Sequence, residues 1–417
     1  MKFDVVIIGG GLAGLTCGIS LQRKGRRCAI VSAGQSALHF SSGYFDFLDR
    51  TADGKAVENP LDAVSALPEG HPYRKIGVED LERYMGEVKP LFAGCGIELK
   101  GDWSRNCYRI TPVGGVCPSW LCLGEFTPFT TAQAEVGRNV MVVNIPGYMD
   151  FNARFVAAGL EKRGAACRIV DVTVDELSGL RANPSEMRSS NIARLMDSGH
   201  VAVRFAEAVR MKLSGEDAVV LPAVFGLKDS SVPQKVAEII GVRTEYVATM
   251  TPSVPGIRTQ MRLRAAFERL GGTYILGDTV MPSEIRDGRV VCLSTVNFGN
   301  EKLYADAFVL AAGSFFSNGL AASRECVTEP VFGLDVHAAD DRSKWGDMDF
   351  FKRQEYIGFG VKSDADFHAV KDGVSVSNLY VAGSVAGGYN PIAEGSGAGT
   401  AIMSAMSVAE HIISKIG

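Results

Sequence analysis

The sequence lacks several things, and each absence narrows what the protein can be. Its nine cysteines contain no Cys-x-x-Cys pair, and no histidine or second thiol pair completes a metal site around the closest two, Cys117 and Cys122. Iron–sulfur clusters need closely grouped thiolates, so none is expected on this chain, and the cysteines read as buried, reduced thiols. An odd cysteine count without a secretory leader argues against a disulfide framework. The first apolar run, Val5 to Ile8, is too short for a signal-peptide core and is broken by glycines. No run is long enough to span a bilayer, so a cytoplasmic protein without direct membrane insertion is expected. The formal net charge of −4 leaves no basic footprint for nucleic acid or anionic lipid. Repeats, low-complexity segments and blocks of one charge are also missing.

Glycine is plentiful, with 47 among 417 residues. Residues 3–8 form a continuous apolar run, as a strand buried on both faces does. Leu12, Leu15, Ile19 and Leu21 then follow at helical spacing, and Arg26 to Val31 reads as a second strand. This is a β-α-β unit. Between about residues 50 and 245 proline and charge rise, with strand-like runs at Val140–Ile145 and Ala218–Val224 and helix-like runs at Phe151–Lys162 and Ser190–Met196. A helix is expected from Arg258 to Leu270, then short strands at Thr273–Leu276, Met281–Ile285 and Val290–Thr295, with Asp287-Gly288 as a hairpin turn. Ala307–Ala312 and Asn378–Ala382 are further strands, and a glycine-rich stretch to Gly399 leads into a last helix. The expected division is therefore a discontinuous Rossmann-type domain, 1–49 with 246–417, and an inserted α+β substrate or interface domain, 50–245.

Gly9-x-Gly11-x-x-Gly14 closes the first strand and opens the first helix. The first glycine permits the tight turn, the second lets backbone approach a phosphate, and the third lets helix and strand pack closely. The helix N-terminus adds free N–H groups and a positive dipole end. The context of strand, loop, helix and strand makes this a nucleotide site. Dinucleotide sites usually carry an acidic residue at the end of the second strand to bind adenosine ribose, and this chain has Ser32. Either an FAD is held with a loosened adenosine end, or the ligand lacks adenosine, as FMN does. Three further blocks supply candidate contacts. They are Ser41-Ser42-Gly43, the strand end at Gly313, and Gly383-Ser384 with the helix opening near Gly397. That last helix start is expected to stabilise negative charge on a reduced flavin.

Residues Met1 to Asp46 resemble the B subunits of bacterial anaerobic glycerol-3-phosphate dehydrogenases. So do Tyr108-Arg-Ile-Thr-Pro-Val-Gly114, Asn191-Ile-Ala-Arg194, Pro252-Ser-Val-Pro-Gly-Ile-Arg258, Gly313-Ser-Phe-Phe-Ser317, Gly333-Leu-Asp335 and Gly383-Ser-Val-Ala-Gly-Gly388. The resemblance implies a fold like the flavoproteins of fumarate reductase and succinate dehydrogenase, and an FMN-type flavoprotein. It also implies two partners. One is an FAD-containing catalytic subunit. The other is an iron–sulfur subunit that tethers the complex to the inner membrane and passes electrons to quinone.

The expected reaction is oxidation of sn-glycerol 3-phosphate to dihydroxyacetone phosphate by hydride transfer to a flavin. It needs a base for the hydroxyl proton and a cation for the phosphate. Arg258 is the favoured cation, ahead of Arg109, Arg194 and Arg262, and His39 is a candidate proton shuttle. Two alternatives stand beside it. The chain could be an electron-relay or scaffold subunit without turnover of its own, or a fumarate-reductase-like flavoenzyme with another substrate.

Overall fold

The computed structural model describes residues 1–51 and 53–416. Its larger sheet has six strands, in the spatial order Thr273–Leu276, Cys28–Ser32, Val5–Ile8, Ala307–Leu310, Val374–Val381 and His368–Lys371. All neighbours are parallel except the last pair. The central strand pairs Val5 with Cys28 on one side and with Ala307 on the other. Its apolar run is unbroken because both faces are covered. Val5 and Ile7 enter one core, and Val6 and Ile8 enter the other. Helices Leu12–Arg23, Val254–Arg269 and Gly397–Ile416 pack on the first face. Short strands and turns from residues 280–361 cover the second.

The intervening segment is composite. Its first part holds helix Val78–Ala93, the hairpin Cys107–Ile110 with Val116–Ser119, and a small antiparallel sheet. That sheet's central strand, Leu121–Leu123, pairs with Tyr44–Phe45 and Leu99–Lys100. Its second part is a four-stranded sheet, parallel throughout, ordered Arg243–Val247, Ala218–Pro222, Asn139–Asn144 and Ala166–Asp171. Val140 and Val219 share the core that contains Val5, so one apolar interior runs beneath both parallel sheets. Strand Arg243–Val247 straddles the expected border at 246 and belongs wholly to the second sheet.

The strand expected over Val290–Thr295 is split into Arg289–Val290 and Leu293–Ser294, and two further elements differ for local reasons. The helix expected at Arg258 begins at Val254, because the Ser253 side chain accepts a hydrogen bond from Gly256 N and Pro255 occupies the first turn. No strand forms over Met281–Pro282–Ser283; only Ile285–Arg286 pairs, with Arg289–Val290. The turn between those two has positive φ at both Asp287 and Gly288, as a two-residue hairpin of this twist requires. Among the described residues, no helix is long and apolar enough to cross a membrane.

Candidate functional site

The glycine loop lies between the two central strands. Gly9 has φ +114°, and a Cβ there would overlap the Ala311 carbonyl. A Cβ at Gly14 would overlap the carbonyl of Gly9, so the helix start is pressed onto the loop. Gly11 precedes helix Leu12–Arg23 and offers no capping side chain. The first N–H groups of that helix are therefore open to an anion. Gly313, at φ +84°, and Ser384 approach each other beside this loop, and Gly383 sits between Ala13 and Ala401. The expected Gly9–Gly14, Gly313 and Gly383–Ser384 blocks thus converge at the carboxyl ends of the central strands. These features fit a flavin phosphate.

The side of the loop next to the second strand is filled by the chain itself. The Tyr274 hydroxyl donates to Gly10 O at 3.3 Å, and Gln260 Nε2 donates to the same carbonyl at 3.4 Å. Ser36 Oγ donates to Gln260 Oε1 at 3.0 Å, and Ser32 Oγ donates to Gly34 O at 3.0 Å. A Cβ on Gly10 would overlap the Tyr274 hydroxyl and lie 2.7 Å from Ser32 Oγ. The Arg264 guanidinium lies over the Tyr274 ring at 4.6 Å. Ser32 is thus turned to its own loop, and the Tyr274 hydroxyl lies against the backbone of Gly10.

A cavity of about 220 Å³ is lined by Ser41, Ser42, Tyr44, Asp46, Arg109, Ser119 and Ala398. Gly43 shapes this turn; at φ +86°, a Cβ there would meet Phe126 and Pro255 at 2.7 Å. Arg109 Nη1 donates to Ser42 Oγ at 3.2 Å, and its guanidinium lies 5.4 Å from the Tyr44 ring centre. Among the described residues Arg109 has no carboxylate within ion-pair distance. Asp46 Oδ1 accepts from Ala398 N at 2.8 Å, and Asp46 O accepts from Gly399 N at 2.7 Å. This narrows one expectation: at the start of the last helix, by Gly397, the N–H groups of Ala398 and Gly399 are already taken by Asp46.

Arg258 is likewise not where the sequence suggested. It is 5% exposed and pairs with Glu125, while its Nη1 donates to Phe225 O at 3.1 Å and to Gly226 O at 2.6 Å. The earlier helix start turns it toward the inserted segment, away from any ligand. His39 is half-buried in the short turn Ala37–Phe40, beside the cavity but not on its wall, and burial lowers its pKa. Arg194 bonds to Asn191 at 2.8 Å and Arg262 to Lys228 O at 2.8 Å, both exposed. Asp46, Tyr44 and Ser119 carried no motif that would single them out.

Behind Arg109 lies Asp49, 8% exposed, whose Oδ1 is buried without a hydrogen-bond partner. Burial, then the neighbouring Asp46, push its carboxyl up to about 8. Asp49 N donates to Glu394 O at 2.8 Å. Glu394 in turn faces buried His71 at 3.2 Å and accepts from Ser396 Oγ at 3.0 Å.

An FAD binding domain matches residues 4–400 of this chain. The B subunit of anaerobic glycerol-3-phosphate dehydrogenase from Yersinia pseudotuberculosis is 40% identical over 425 aligned positions, covering 100% of this chain and 99% of that protein. Its counterpart in Pectobacterium atrosepticum is 40% identical over 418 positions, with the same coverage. A solved 3-ketosteroid delta1-dehydrogenase from Sterolibacterium denitrificans shares 10% identity at a TM-score of 0.48, covering 99% of each chain; a likeness at that level assigns nothing. With its glycine loop, parallel sheet and full-length relatives, the chain belongs to the flavoprotein family of anaerobic glycerol-3-phosphate dehydrogenase B subunits.

Proposed function

We propose that the cavity beside Arg109 is where sn-glycerol 3-phosphate is held for oxidation to dihydroxyacetone phosphate. The observation that carries this reading is Arg109 itself, a cation without a carboxylate partner among the described residues, flanked by the hydroxyls of Ser41, Ser42 and Ser119. A guanidinium fork among hydroxyls suits a phosphate. Asp46, on the same wall, is the base for the substrate hydroxyl proton; Ala398 N holds one of its oxygens. Flavin supplies the hydride acceptor when bound. The Gly9–Gly14 loop would hold its phosphate, with Gly313, Gly383 and Ser384 beside it and Ser41–Gly43 along the cavity side.

FMN is the favoured form, with FAD the alternative, because Tyr274, Gln260 and Ser36 cover the adenosine side of the loop. Residues 1–49 and 248–417 form the flavin-binding unit in this reading, and 50–247, with the whole of strand Arg243–Val247, the substrate and interface unit. Electrons leave toward quinone through the complex, whose other members are an FAD-containing catalytic partner and an iron–sulfur partner. A peripheral place at the inner membrane comes through the iron–sulfur partner. A second reading, an electron relay without turnover, draws on Asp46 being committed to a helix start.

Two measurements test these points. Mass spectrometry of the cofactor released from the assembled complex should find FMN at this subunit; FAD in equal amount to both flavoprotein chains would overturn the FMN assignment. Arg109→Gln in the complex should raise KM for glycerol 3-phosphate sharply. An unchanged KM would move the substrate elsewhere and leave the relay reading.

A further inference from the structure

We propose that Asp49 is a positioning residue, a carboxyl enclosed without a hydrogen-bond partner near the cavity, so that the charge of Arg109 is left for an anionic substrate. The inference rests on the reading of the Arg109 cavity given above. Its geometric basis is a set of contacts that enclose the Asp49 carboxyl. Asp49 Oδ1 is buried and unbonded. A side chain at position 395 cannot cover the carboxyl, because Gly395 has φ +61° and a Cβ there would run into Asp49. The main chain is fixed on both sides, Asp49 N donating to Glu394 O and Asp49 O accepting from Val57 N at 2.9 Å. These bonds fix the backbone from which the buried carboxyl projects.

The charged and titratable groups around Asp49 come from three elements. On its own segment are Asp46, which caps the last helix, and exposed Arg50, which donates to Gly54 O at 3.2 Å. On the hairpin are Arg109 and the thiols of Cys107 and Cys117, both raised chiefly by burial. On the segment packed above is Glu394, already joined to His71. Ionised Asp49 would place a second negative charge beside Asp46 and compete for Arg109. Neutral Asp49 leaves one cation and one carboxylate at the cavity, the combination a phosphorylated alcohol needs. The carboxyl titrates at about 8, so its effect falls within an accessible pH range.

The test is the pH profile of the assembled complex with sn-glycerol 3-phosphate. Wild type should show KM rising about tenfold between pH 7 and pH 9.5, with kcat changing far less, as a second charge appears beside the site. Asp49→Asn should keep the low KM across that range. Infrared spectroscopy of the wild-type complex gives an independent readout: a protonated-carboxyl band at pH 7 that disappears as pH passes 8. If that band is absent at pH 7, the proposal is overturned even where the variant does not fold. A wild-type profile in Asp49→Asn overturns it as well. If Arg109→Gln leaves KM untouched, the cavity reading fails instead, a result separable from both.

Discussion

Arg109 and Arg258 are the same residue type in opposite circumstances. Arg258 is buried at a seam, paired with Glu125 and bonded to two carbonyls of the inserted segment. Arg109 stands at a cavity wall, bonded to the Ser42 hydroxyl and paired with no carboxylate among the described residues. A guanidinium taken out of water must find partners for its charge and its N–H groups, so Arg258 is structural by necessity. An arginine with donors left over at a cavity is available to a ligand. The difference teaches that placement near a motif says less about role than how many donors the fold has already satisfied.

The largest expected effect follows from breaking the buried pair. Arg258→Ala leaves Glu125 without its partner and should cost about 3–5 kcal/mol of stability, read by urea denaturation. KM of the folded fraction should not change; a raised KM with wild-type stability would reverse the roles of the two arginines. Next comes Arg109→Gln, expected to raise KM about a hundredfold, which is about 2.7 kcal/mol. Its unfolding free energy should stay within about 0.5 kcal/mol of wild type, as for other changes that create no cavity.

A smaller effect should appear in stability against pH. Asp49 binds its proton more tightly in the folded chain than in the unfolded one. Between an unfolded carboxyl value near 4 and the folded value of about 8, the native state holds the extra proton, so this group's contribution declines as pH rises through that window. Denaturation at pH 5 and pH 8 should show this decline in wild type, and Asp49→Asn should flatten it, so that the variant gains on wild type as pH rises toward 8. A variant that follows the wild-type curve would mean Asp49 is ionised throughout. Tyr274→Ala should cost about 1 kcal/mol of stability while opening the second-strand side of the glycine loop. The cofactor released from that variant should contain a larger share of FAD; an unchanged share would remove Tyr274 as the selector.

Much of the frame was legible because it depends on local chemistry. The Val5–Ile8 run, the Gly9–Gly14 loop, the helix after it and the Asp287-Gly288 turn all follow from periodicity and from backbone angles that few residues tolerate. Helix His200–Met211 was also readable, since Val201, Ala202, Phe205, Ala206 and Val209 share one face, yet it was not expected. The site was only half legible. Ser41 and Ser42 do line the cavity, whereas Asp46 and Tyr44 follow them in a stretch without a motif. Arg258 looked free because its partner lies 133 residues away in sequence. The contact of Tyr274 with Gly10 was hidden for the same reason, the two lying 264 positions apart in sequence.

The sequence by itself determined that a phosphate-bearing cofactor could be held at the start of the first helix, because glycine spacing there is a requirement of the backbone and needs no distant partner. Tertiary packing set which side of that loop is covered, which arginine lacks a carboxylate partner among the described residues, and which buried carboxyl oxygen goes unbonded. Those outcomes depend on what folds against each group. Desolvation and pairing are properties of a place in the fold, and the chain brings that place together from segments hundreds of residues apart.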